Sequence, residues 1–158
     1  MDGVPPLPTD PDVDLHVPAQ RTELRRGLAS VLAVVALGGA LGALARYGVG
    51  LLLPPAPAGF PWGIFLVNVT GCLLIGVLMV LVTQVWPAQR LVRPFLGTGV
   101  LGGFTTFSAY VVDIQRLLVA GEVVVAFAYL AGTLVAALLA VQAGLSATRA
   151  VLRRRVPS

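Results

Sequence analysis

Residues 99–110, GVLGGFTTFSAY, lie inside an apolar run long enough to cross a membrane, yet they bring three glycines, two adjacent threonines and a serine into it. In hydrocarbon there is no water to take up a freed backbone N–H or C=O, so an interrupted helix survives only where protein or a water-filled cavity satisfies it. The stretch therefore predicts a third membrane segment broken near its middle, and a break of this kind marks a site.

The rest of the chain sets that segment in a membrane. Of its 158 residues, 57% are hydrophobic and 11% charged, against roughly 25% charged in an ordinary soluble domain. The expected class is an all-α membrane protein with four transmembrane helices. Apolar runs of about 20 residues span a bilayer, and four are present, near 28–53, 62–85, 91–119 and 122–148. PPAPAG and the Trp86-Pro87 pair end the first two. Connections this short make successive helices antiparallel neighbours. Trp62, Trp86 and Phe60 fall at span ends, where amphipathic rings favour the interface. Residues 1–26, with five prolines and four aspartates up to position 20, read as a disordered cytoplasmic tail, 27–150 as a four-helix transmembrane domain, and 151–158 as a basic cytoplasmic tail.

All 11 basic side chains are arginine. With an even number of spans both termini share a side. Placing them inside puts nine arginines in the cytoplasm (21, 25, 26, 90, 93, 149, 153, 154, 155) and only Arg46 and Arg116 toward the other face. Basicity of this distribution suits lipid headgroups and topology rather than nucleic acid.

Several functions are excluded by what the spans lack. A proton-coupled carrier or small multidrug transporter needs an ionisable group deep in a span; Asp113 and Glu122 read instead as solvated residues flanking the turn between spans three and four. The single histidine, His16, falls in the tail, and the single cysteine, Cys72, reads as a small core residue. No nucleophile, base and orienting acid can be assembled, so an enzyme is not expected. Passive conduction or a structural role remains.

The polar residues within the spans each carry two readings. Asn68 offers an interhelical hydrogen bond or an uncharged donor for a dehydrated anion. Phe107 and Tyr110, three apart, share a helical face and can present positive ring edges. Tyr129 and Thr133 stack on one stripe of span four. Gly38 with Gly42, and Gly99 with Gly103, have the small-xxx-small spacing of close packing, and the second pair reads at least as well as part of a break whose freed carbonyls could coordinate a cation. Arg46 either snorkels to the interface or concentrates anions at a pore mouth.

Together, GGALGALARY (38–47), VNVTGCLLIG (67–76) and above all GVLGGFTTFS (99–108) resemble the Fluc/CrcB family of fluoride channels, over all four spans. The resemblance implies an antiparallel dual-topology dimer in a bacterial plasma membrane, with two fluoride pathways that let cytoplasmic fluoride leak outward and so lower its toxicity. It implies a structural sodium ion at the dimer centre, held by backbone carbonyls of Gly102 and Thr105. Fluoride would pass Asn68, the ring edges of Phe107 and Tyr110, and hydroxyls including Thr106, Ser108, Tyr129 and Thr133, with Arg46 at the vestibule.

The chain departs from the family pattern at Tyr110, commonly Phe; at Ile64, commonly Thr; and at Ala137, commonly Ser. Two hydroxyls of the polar track are thus absent, which favours one silent pathway or a non-conducting structural subunit as the alternative. The arginine bias opposes insertion in both orientations, so a heterodimer with a homologue of reversed bias is expected ahead of a homodimer.

Overall fold

The computed structural model describes residues 18–155 apart from 57, 87, 88 and 90, with side chains described from 28 to 154. Of the tail expected to be disordered over residues 1–26, residues 1–17 with His16 lie outside the described residues, as do Arg90 and residues 156–158, whereas residues 18–26 are helical and belong to the first helix. The described chain is helical, and four segments are long and apolar enough to cross a membrane, at Leu28–Leu52, Trp62–Gln84, Arg93–Val119 and Val123–Arg154.

Helix α1 (Pro18–Leu52) starts ten residues before its apolar span, and the loop 53–61 leads into α2 (Trp62–Gln84). Phe60, Trp62 and Phe65 cluster there, with Phe60 and Trp62 centroids 4.6 Å apart. The third span is composite. It is π-wound over Arg93–Leu101 and forms a short α-helical turn α3 (Gly102–Phe104). It then runs extended through Thr105 and Thr106 and resumes as α4 (Phe107–Val119). The turn into α5 (Val123–Arg155) uses Gly121 at φ 81°, and Glu122 N–H bonds back to Leu117 C=O at 2.9 Å. Only glycine takes that left-handed position without penalty, so the stop falls there.

The break changes the neighbour of the third span. Its π-wound half and α3 lie along α1, whereas α4 lies along α5; α2 packs chiefly on α5. Glycine makes the first of these contacts possible. A Cβ on Gly42 would strike the Val100 carbonyl and approach the Phe104 nitrogen at 2.7 Å, and one on Gly38 would come within 3.0 Å of Gly99 Cα. Because i→i+5 bonding lengthens each turn, positions 95, 99 and 103, spaced by four, stay on the face that meets α1. Gly99 and Gly103, which read from sequence as well for a break as for packing, serve the packing; the extended backbone belongs to the two threonines. Gly76 and Gly144 play the same part between α2 and α5.

The buried core is small, built from Val67, Leu78, Val80, Leu101, Leu117, Ala126, Tyr129 and Ala140, while many large apolar side chains of α1, α2 and α5 are exposed. Such a surface suits lipid or another subunit, since lipid tails are as apolar as leucine.

Gly42→Ala is expected to destabilise the protein by ~1–3 kcal/mol through overpacking against backbone that cannot yield. Gly48→Ala, whose Cβ meets nothing within 4 Å, is expected to be neutral or slightly stabilising. Thermal unfolding in detergent followed by circular dichroism separates the two.

Candidate functional site

The site is the break and the space beside it. Thr105 (φ −75°, ψ 156°) and Thr106 (φ −151°, ψ 125°) are extended, which removes a turn of i→i−4 bonds from the centre of the span. Each group released in this way has to find another partner. Thr106 N–H donates to Asn68 Oδ1 at 2.9 Å, and Asn68 Nδ2 donates to Thr106 C=O at 3.0 Å. The amide of α2 thus closes a two-bond ring on one residue of span three, the geometry one strand offers another. Arg46 Nε donates to Gly103 C=O at 3.2 Å. Thr106 Oγ1 caps α4 by accepting from Ala109 N–H at 3.2 Å, and Thr105 Oγ1 donates to Leu101 C=O at 2.9 Å. A methyl of Thr105 occupies the place a Cβ on Gly71 would take.

This redistribution takes the helical donor away from two carbonyls. The helical partner of Gly102 C=O would be Thr106 N–H, which Asn68 has taken; that of Thr105 C=O would be Ala109 N–H, which Thr106 Oγ1 has taken. Both residues line the cavity beside the break. Carbonyls that lose their helical donors are the kind of oxygen that breaks in membrane helices offer to cations. Among the described residues no group of His, Cys, Asp and Glu could hold a metal, so a cation here would rest on backbone oxygen.

The cavity, about 620 Å³, lies between α2, the break and α5. Asn68, Thr105, Thr106, Phe107, Tyr110 and Thr133 line it, among mainly apolar neighbours that include Ala137. Phe107 is 78% exposed, so this flank of the cavity is open to whatever packs against the chain. Tyr110 lies 5.9 Å from Phe107 between ring centroids and 5.1 Å from Tyr129. The extra hydroxyl of Tyr110 donates to Leu130 C=O at 2.7 Å, tying α4 to α5. Tyr129 is fully buried, Thr133 nearly so, and neither hydroxyl has a partner. Unpaired buried hydroxyls are uncommon and point to a ligand or water.

The structure thus brings Asn68, Thr106, Phe107, Tyr110 and Thr133 to one cavity, with Tyr129 stacked behind Tyr110. Ser108 is exposed beside Thr106, Oγ to Oγ 3.2 Å. Arg46 turns onto the break.

Two expectations are corrected. Cys72 is not a core residue: it is half-buried and lines the cavity one turn beyond Asn68, a position that follows from the i, i+4 spacing. Asp113 is not solvated: it is 8% exposed and faces Arg116, Nη2 to Oδ1 3.3 Å. Its spacing of three from Tyr110 already put it on the inward stripe of α4.

A family model described as CrcB-like protein, Camphor Resistance (CrcB), matches residues 33–145. The chain belongs to the CrcB family. Among CrcB relatives, the Fluoride-specific ion channel FluC 2 of Streptomyces avermitilis is 59% identical over 125 residues, 79% of either chain. FluC 1 of Streptomyces coelicolor is 56% identical over 130 residues, 82% of this chain and 84% of the relative. A second Streptomyces avermitilis protein, FluC 3, is 48% identical over 136 residues, 86% of this chain and 65% of its own length. Four spans and relatives named as ion channels make this CrcB chain a multi-pass membrane protein.

Replacing Asn68 with Leu removes both bonds to Thr106 and is expected to destabilise the protein by ~2 kcal/mol, the order of two net hydrogen bonds. Amide hydrogen exchange should show lost protection at Thr106 ahead of any change in α1.

Proposed function

We propose that this chain is a subunit of a fluoride-specific ion channel, and not an enzyme. The observation that carries the reading is the convergence of Asn68, Thr106, Phe107, Tyr110 and Thr133 on one cavity at the break, in a chain close to relatives named for that activity.

The chemistry follows from the residues. Fluoride holds its hydration shell tightly, so passage needs fixed donors in a narrow path. Asn68 spends one N–H and its oxygen on Thr106, which locks the amide and leaves the second N–H for an anion. Thr133 and Tyr129 keep free hydroxyl donors, while the ring edges of Phe107 and Tyr110 supply weakly positive surface that does not bind too tightly. Arg46, beside the break, adds positive charge at the vestibule without entering the path.

The wider assembly belongs to the same proposal. A second subunit, inverted, would cover the open flank at Phe107 and Gly102. The freed carbonyls of Gly102 and Thr105 would hold a structural sodium ion between subunits; when bound, it supplies positive charge that neutralises the carbonyl dipoles of the break. Nine arginines against two favour a single orientation, with both termini in the cytoplasm of a bacterial plasma membrane. The inverted partner is then a homologue, in keeping with numbered FluC proteins in one Streptomyces. Membrane potential drives fluoride outward. Ala137, a methyl in the cavity wall, favours a second reading in which one pathway of the pair is silent.

Fluoride-electrode efflux from liposomes tests the channel. Asn68→Ala and Phe107→Ala are each expected to slow efflux about tenfold or more, the loss of ~1.4 kcal/mol at the barrier, with assembly on size exclusion retained. Unchanged efflux in both would refute the pore role. Purified alone, the chain is expected to give little efflux, and co-expression with a numbered homologue should restore it; full efflux alone overturns the heterodimer and spares the channel. Exchange of sodium for choline should abolish efflux in either assembly.

A further inference from the structure

Asp113 is the acidic residue of the described spans that is buried, and fluoride conduction as proposed above gives it no task. It shares the stripe Tyr110, Asp113, Leu117 of α4, which faces Tyr129 of α5. Phe60 and Phe65 complete the surroundings without charge. The charged group beside it is Arg116, one turn on.

Arg116 approaches Asp113 at 3.3 Å, yet neither Asp113 Oδ2 nor Arg116 Nε has a hydrogen-bond partner, and Tyr129 OH is also unpaired. The pair is therefore a charge contact rather than a satisfied network. A pair this incompletely bonded contributes little stability compared with apolar residues of similar size. Its position is informative: the carboxylate sits one turn beyond Tyr110, whose ring lines the cavity with the Tyr129 ring behind it. An uncompensated anion there would repel any halide passing those rings, because charges in a medium of low dielectric interact over many ångströms.

We propose that Arg116 is a positioning residue of the anion route: it cancels and holds the charge of Asp113, so that the outer half of the pathway accepts anions. The inference rests on the channel reading, and it makes Arg116 matter through Asp113 alone.

The test measures fluoride efflux from liposomes containing the assembled channel as it is expressed, with Arg116→Gln, Asp113→Asn, the double variant and Arg116→Lys. Arg116→Gln is expected to lose about tenfold or more. Asp113→Asn should stay within about twofold of the parent, and the double variant should return to the Asp113→Asn rate, since no charge then needs compensating. Arg116→Lys keeps the charge and should conduct at close to the parent rate, which decides the matter if Arg116→Gln does not assemble. Equal losses in the two single variants, no loss in Arg116→Gln, failure of the double variant to recover, or a tenfold loss in Arg116→Lys each overturns the proposal. A parent channel that passes no fluoride overturns the channel reading and this inference together, whereas a conducting parent with symmetric losses overturns this inference alone.

Discussion

Two extended residues in the middle of a membrane span govern the rest of this structure. At Thr105 and Thr106 the chain stops making its own hydrogen bonds at a depth where no solvent can replace them. Most of the side-chain contacts nearby answer that deficit. Asn68 pairs with both backbone groups of Thr106, Arg46 takes the Gly103 carbonyl, and the threonine hydroxyls serve Ala109 and Leu101. In the exchange the carbonyls of Gly102 and Thr105 lose their helical donors.

The break also sets the packing. An uninterrupted third helix would run along one neighbour for its whole length. Here the π-wound half lies on α1 through glycine contacts, and α4 lies on α5 through aromatic and leucine side chains. Handing the span from one neighbour to the other opens the cavity between α2 and α5, and the first residues of α4 project into it. Close glycine packing on one side and bulky rings on the other are two halves of one arrangement: backbone rigidly held on α1 keeps the threonines where Asn68 can reach them.

Much of this was legible in the sequence, because the determinants are local. Apolar runs of membrane length gave the four spans to within a few residues, and the hydroxyls after Gly103 located the break. The spacing of Phe107 with Tyr110, and of Tyr129 with Thr133, placed each pair on one face. Other features depend on partners distant in the chain and were not legible. Gly99 and Gly103 look like break residues until α1 is seen against them. The hydroxyl of Tyr110 has no visible partner until α5 brings up Leu130 C=O. Asp113 was legible only in part: it reads as a helix-end residue because it follows the apolar centre of its span, although its spacing of three from Tyr110 set it on the inward stripe of α4. The π-winding has no compositional signature beyond Pro94 near its start.

Asn68 shows how one side chain can repair the break and line the cavity at once. A carboxamide has one acceptor oxygen and two N–H donors. The oxygen and one donor hold the break, and this immobilises the second donor in the wall of the cavity. A threonine would have to serve both backbone groups of Thr106 through one oxygen and would keep no donor over, and an aspartate would accept from its N–H while repelling both its carbonyl and any anion. The residue that repairs the backbone is therefore the one whose remaining hydrogen is fixed in direction without a side-chain partner of its own. Rigidity of that kind is what a donor needs if it is to replace water around a small ion without first collapsing onto the protein.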